Sequence, residues 1–145
     1  MYHTNVMMYV GTEFALVGLL RIHDTARREQ VRRRLEESGR TVIDLSAPRI
    51  PEFAANSIEL TGSSGRLLVM SSRALRALTA AQVGIIRRSA EPIAFDIPSI
   101  ELAGGSIRCM IAGVHLSQRE GCAGERRVSD SASVTTPSPR VQVTA

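Results

Sequence analysis

Apolar residues along this chain fall into short blocks separated by charged or glycine-rich breaks, and the blocks predict two similar units in succession. Residues 5–10 and 13–22 are rich in Val, Met, Phe and Leu and meet at Gly11-Thr12, the pattern of two strands in a hairpin. A helix should follow over 25–38, because Asp24 is a good N-cap, the segment is rich in Arg and Glu, and Gly39 offers a C-terminal stop. A short strand over 41–45 completes the unit. The order then returns as a strand at 57–61, a turn at Gly62-Ser-Ser-Gly65, a strand at 67–71, helical residues 73–89 and a strand at 93–96. Thr79 and Gln82 stand at capping-box spacing, which predicts that the second helix breaks and restarts near Leu78. The strand-strand-helix-strand order thus repeats at a period of about 52 residues. Helices that return the chain to a sheet make the class α/β. Neither unit buries its apolar faces alone, so units of this kind are expected to stack on neighbours.

A further strand is expected over 107–116, closing a first domain of residues 1–116. The remainder, 117–145, is rich in Ser, Thr, Gly, Arg and Pro, includes Thr136-Pro-Ser-Pro139 and has no apolar periodicity, so it is expected to be a disordered tail. Cys122 falls in that tail and is assigned no role.

Composition narrows the function. With no Trp, two Tyr and three Phe, the core must be aliphatic, and the stacking platforms that single-stranded nucleic acids need are missing. All 18 basic residues are arginine and the net charge is +4. The densest basic run, Arg27, Arg28, Arg32, Arg33 and Arg34, is interleaved with Glu29, Glu36 and Glu37, with Glu29 and Arg33 four apart. That is the pattern of a solvated, ion-paired helix face rather than a phosphate-binding stripe, and no nucleic-acid partner is expected. The apolar run 14–20 falls well short of the roughly 20 residues that span a bilayer, and the N-terminus lacks the basic region of a signal peptide. No membrane association is expected. Two cysteines make no disulfide framework, and a cytoplasmic setting is the default. Three scattered histidines give no zinc spacing and there is no Walker or GxGxxG sequence, so neither metal nor cofactor is expected.

The chemistry concentrates in Ile100-Glu-Leu-Ala-Gly-Gly-Ser-Ile-Arg-Cys109-Met-Ile. Gly104 and Gly105 permit a sharp bend and close approach of a ligand, and the run is expected to display Cys109 at the mouth of a strand. Arg108 sets a positive charge beside a thiol whose reactive form is the thiolate. The plainer reading is a core cysteine, because free Cys is often buried as a small hydrophobe. At the other end, His3 in Tyr2-His3-Thr4-Asn5-Val6-Met7-Met8 precedes an apolar strand, and a cysteine with a distant histidine is the layout of a nucleophile and its base.

Together with Phe53-Ala-Ala-Asn56-Ser-Ile-Glu-Leu60 and Leu68-Val-Met-Ser71, these segments resemble the C-terminal part of the guanidine-modifying (amidinotransferase or pentein) superfamily, nearest to the arginine-deiminase-related proteins and citrulline hydrolases, from about Tyr2 to Leu116. The resemblance implies a partial pentein-type α/β propeller, two ββαβ modules of five plus a closing strand, with roughly the first half of the usual domain absent. It implies a C–N hydrolase acting on citrulline or an arginine-like substrate through a covalent Cys adduct. Cys109 matches the nucleophile. His3 matches the general acid/base, against the plainer reading of a frayed terminal histidine. Asn5 stands where many relatives carry Asp, and a neutral amide suits a neutral ureido group better than a guanidinium cation. Asn56 matches a recurrent asparagine that satisfies backbone groups near the site, although an asparagine in a tight turn reads the same way. Glu59 and Glu101 are candidate substrate contacts or plain surface carboxylates. The relatives hold the substrate head with acidic side chains from modules this chain lacks. A partner chain supplying those modules, or self-association, is therefore expected beside a small amino-acid substrate. The alternative is an inactive fragment that serves as a protein-binding α/β module.

Overall fold

In the computed structural model of the chain the described residues are 3–45, 52–113 and 141–142. Two units of the expected order stand side by side. The first runs β1 (Met8–Val10), β2 (Phe14–Val17), α1 (Thr25–Glu37) and β3 (Thr41–Asp44); the second runs β4 (Ile58–Gly62), β5 (Gly65–Ser71), α2 (Ser72–Ala77), α3 (Ala80–Ile86) and β6 (Glu91–Phe95). In both units the first two strands pair antiparallel and the last two parallel, with the helices making the crossover. The hairpin registers coincide: Tyr9↔Leu16 in the first unit and Leu60↔Leu67 in the second differ by the same 51 residues at each partner (9 to 60, 16 to 67).

Phe14–Val17 of β2 and residues 68–70 of β5 are buried on both faces, so these stretches are apolar without alternation. Phe14 and Leu16 of β2 and Leu68 and Met70 of β5 share one cluster with Ala74, Leu78 and Ile86, which joins the two units. Ala15 and Val17 turn the other way, toward Val31 and Leu35 of α1. Val69 packs with Leu60 and Ile107. Each large aliphatic or aromatic side chain so buried contributes about 1.5–3 kcal/mol.

Helix signals read from sequence are present as hydrogen bonds. The Asp24 side chain accepts from the Arg27 N–H at 3.0 Å, and Gly39 takes φ +83° after α1. Thr79 and Gln82 form a reciprocal capping box that restarts the helix after Leu78. The arginine-rich face of α1 is ion-paired, Arg33 with Glu37 at 3.6 Å and Arg32 with Asp44 at 3.4 Å.

Three expectations need correction. The strand expected over 5–10 begins only at Met8, because residues Thr4–Val6 form a 3-10 turn closed by Met7 N–H to Thr4 O. The strand expected over 13–22 ends at Val17. Gly18 follows, and Leu19–Arg21 make a 3-10 turn whose Leu19 N–H donates to Asp44 Oδ1. The closing strand expected over 107–116 is replaced, within the described residues, by a one-turn helix α5 (Ile107–Met110), after α4 (Pro98–Leu102). A strand would bury Cys109 on the same face as Ile107. Instead Ile107 and Ile111, four apart, pack into the core while Arg108, Cys109 and Met110 are exposed, the spacing of a helix. Gly104 at φ +88° ends α4 and lets the chain turn into it.

The sheets are ordered β1-β2-β3 and β6-β5-β4-β7, where β7 (Val141–Gln142) pairs with Thr61 and Gly62 of β4. These are two mixed sheets of an α/β fold. Residues 114–140 and 143–145 lie outside the described residues, and with them Cys122, His115 and most of the expected tail. No helix among the described residues is long and apolar enough to cross a membrane.

Candidate active site

Cys109 sits on the exposed side of α5, and the shape of the preceding turn puts it there. Ser106 has the extended backbone of an N-cap (φ −152°, ψ −165°), its carbonyl accepts the Cys109 N–H at 3.0 Å, and Ile107 anchors the turn in the core. Gly105 lies beneath, where an added Cβ would rest 3.7 Å from the Cys109 Cβ, an ordinary contact.

Two asparagines converge on the sulfur. Asn56 is fully buried; its Nδ2 donates to Cys109 Sγ at 3.2 Å, and its Oδ1 accepts the Arg108 N–H at 3.0 Å. Asn5, on the 3-10 turn before β1, donates from Nδ2 to the same sulfur at 3.7 Å. Burial pushes the Cys109 thiol up. It is outweighed by the Ser106 backbone hydrogen bond, the Asn56 and Asn5 amides and the Arg108 charge, which together hold the thiol below its ordinary value. Cys109 is thus a free, exposed thiol rather than a core residue.

Beside it lies a cleft of about 590 Å³, lined from the Cys109 end by Asn5 and Arg108 and from the other end by Tyr9, Thr12, Arg40 and Glu59. Glu59 is its one carboxylate among the described residues. Thr12 holds that carboxylate from Oγ1 at 2.5 Å and from its N–H at 3.5 Å. Burial first, and then the Glu59 charge, keep the Tyr9 hydroxyl protonated well above its ordinary range. Asn5 Oδ1 and Ser57 Oγ are buried there without a hydrogen-bond partner among the described residues. Unpaired buried polar atoms are costly, so a polar ligand or water is the expected complement.

The structure brings together Cys109, Asn5, Asn56 and the Arg108 backbone, and sets Glu59 across the adjoining cleft. It does not bring in Glu101, which lines a separate pocket of about 360 Å³ with Arg73, Arg76 and Asp96. His3 is exposed, with extended backbone, and among the described residues no hydrogen bond or ion pair joins it to Cys109. The guanidinium of Arg108 turns back to the Ile111 carbonyl at 3.1 Å. Tyr9, Thr12, Arg40 and Ser57 were not singled out from sequence. Their signal was positional, since they stand at or beside the corresponding strands of the two repeats. No group of three or more acidic, His or Cys side chains suited to a metal occurs among the described residues.

A family model described as N,N dimethylarginine dimethylhydrolase, eukaryotic, matches residues 1–116. No curated protein and no solved structure matches the chain.

Proposed function

The chain belongs to the N,N dimethylarginine dimethylhydrolase family, of hydrolases in the amidinotransferase superfamily that act on C–N bonds, and from that premise we propose that it hydrolyses a guanidino-modified arginine with the Cys109 thiolate as nucleophile. The guanidine-modifying superfamily thus stands, and the family matched is not the arginine-deiminase-related or citrulline-hydrolase group.

The observation that carries the reading is the sulfur held by two amide donors, one of which, Asn5, lines a polar cleft together with Arg108. In the proposed reaction the thiolate lone pair forms a bond to the central guanidinium carbon, and the C=N electron pair moves onto nitrogen. The substituted amine departs with a proton as the tetrahedral adduct collapses. Water then adds to the same carbon, surrenders its proton, and expels the thiolate, leaving a ureido product. His3 is proposed as the acid and base for those protons, since an imidazole can both donate and accept one. Glu59 is the carboxylate available to a cationic substrate in the cleft. From a methylated arginine that ureido product is citrulline.

The test is amine and ammonia release by the purified chain from methylated arginines, arginine and citrulline, with Cys109→Ala as control. Cys109-dependent release supports the reading and identifies the substrate. Folded protein inert toward all three, alone and after addition of any chain that completes the domain, replaces it with the protein-binding module.

A further inference from the structure

We infer that Asn5 and Asn56 are a matched pair of positioning residues, one from each repeat unit, whose Nδ2 groups jointly hold the Cys109 sulfur in place as a thiolate. The inference rests on Cys109 being the nucleophile, but its argument is one of symmetry and geometry. The repeat that relates Tyr9 to Leu60 and Leu16 to Leu67 also relates Asn5 to Asn56 and Gly11 to Gly62. Each asparagine therefore occupies the same place in its unit, just before the first strand. From those equivalent places the two amides reach one atom, at 3.7 and 3.2 Å.

The orientation of the Asn56 amide is set by its other end. Its oxygen accepts the Arg108 N–H, and a flipped amide would turn Nδ2 toward that N–H, donor against donor. The buried side chain thus keeps Nδ2 on the sulfur. The same Oδ1 lies 3.7 Å from Cys109 Sγ, within reach of the thiol proton before ionisation. One side chain therefore accepts from the thiol and donates to the thiolate. Hydrogen bonds to the charged form favour it, and amides do so without a net charge that would attract or repel the substrate head. The repeat supplies a second donor from the other unit, so the sulfur is held from two sides.

The experiment is the pH dependence of iodoacetamide alkylation on the full chain, resolved by peptide mass so that Cys109 is read separately from Cys122. Asn5→Ala should raise the Cys109 midpoint by about half to one pH unit, lowering alkylation at pH 7 about three- to tenfold. Asn56→Asp keeps an acceptor for the Arg108 N–H, removes the donor and adds a negative charge, so it should raise the midpoint further. The double variant should shift it at least as far as either single one. Because the added charge raises the midpoint by itself, the neutral Asn56→Leu, which lacks the donor, decides for Asn56: a midpoint at the wild-type value there overturns the inference. Should neither Asn56 variant fold, an unshifted midpoint in Asn5→Ala overturns the inference alone, and a shifted one supports it. No turnover is needed, so an inert enzyme with shifted midpoints would sink the proposed function and leave this pair standing.

Discussion

Asn56 meets Cys109 across 53 positions of sequence, with Nδ2 3.2 Å from the sulfur while Oδ1 holds the Arg108 N–H. The contact ties the start of the second repeat unit to the one-turn helix that follows it. It depends on both ends being fixed: Ala54 and Ala55 are buried before Asn56, and Ile107 is buried before Arg108. The candidate site is thereby a product of the core.

Truncating Leu68 should test that dependence. Its side chain is fully buried in the cluster shared by β2, β5, α2 and α3. Leu68→Ala should cost about 2–5 kcal/mol. Urea denaturation should show one shifted transition, because the shared cluster makes the two units unfold together; two separate transitions would contradict a common core.

The two hairpin glycines, equivalent by repeat, should respond differently to the same change. A Cβ on Gly11 would lie 2.9 Å from Tyr9 Oη and 3.1 Å from Glu59 Oε2, both held in the cleft wall. On Gly62 the nearest atom is Leu67 Cδ1 at 3.0 Å, the far end of a flexible side chain. Gly11→Ala is expected to lose about 1–3 kcal/mol by overpacking and Gly62→Ala less than about 1 kcal/mol. Thermal denaturation of the two variants decides it, and equal losses would mean the Tyr9–Glu59 wall yields freely.

Much of this fold was legible because its signals are local. Apolar blocks, Asp24, Gly39 and the Thr79/Gln82 pair each act within a few residues, and the repeat order followed from them. The segment from Ile107 was not, since Ile107, Cys109 and Ile111 fit both a strand's alternation and a helix's four-residue spacing. Burial of Ile107 and Ile111 against β4 and β5 chose the helix. In the site, Cys109, Asn5 and Asn56 were legible from motifs. Glu101 was misplaced because eight residues of sequence separation says nothing about direction once Gly104 has reversed the chain at φ +88°. Tyr9 and Arg40 escaped notice because neither belongs to a motif; their place in the cleft wall is a consequence of sheet packing.

Tyr9 should leave a signature at high pH. Its folded-state pKa is raised, first by burial and then by the Glu59 charge, above the ordinary value of about 10 that it regains on unfolding. The unfolded chain therefore releases this proton first as pH rises. The stabilisation is fully present below about pH 10 and is lost progressively above it. Tyr9→Phe, which has no proton to lose, should show a flatter fall in denaturation midpoint between about pH 9 and pH 11. Parallel profiles for the two proteins would contradict the shift.

The capping box between Thr79 and Gln82 yields the last expectation. Thr79 Oγ1 accepts the Gln82 N–H at 3.2 Å, and Gln82 Oε1 accepts the Thr79 N–H at 2.9 Å. The helix it starts is only two turns long, and a short helix depends on its ends because nucleation is unfavourable. Gln82 also donates from Nε2 to the Asp44 carbonyl at 3.0 Å, so the box fastens the second unit to the end of β3. Thr79→Ala should therefore cost about 0.5–2 kcal/mol, and Thr79→Ser, which keeps the acceptor, much less. Because Ile86 at the end of α3 is fully buried in the shared core, amide exchange in the Thr79→Ala variant should accelerate through both α3 and β3. Acceleration confined to α3 would show that the Gln82 bridge to Asp44 does not depend on the cap.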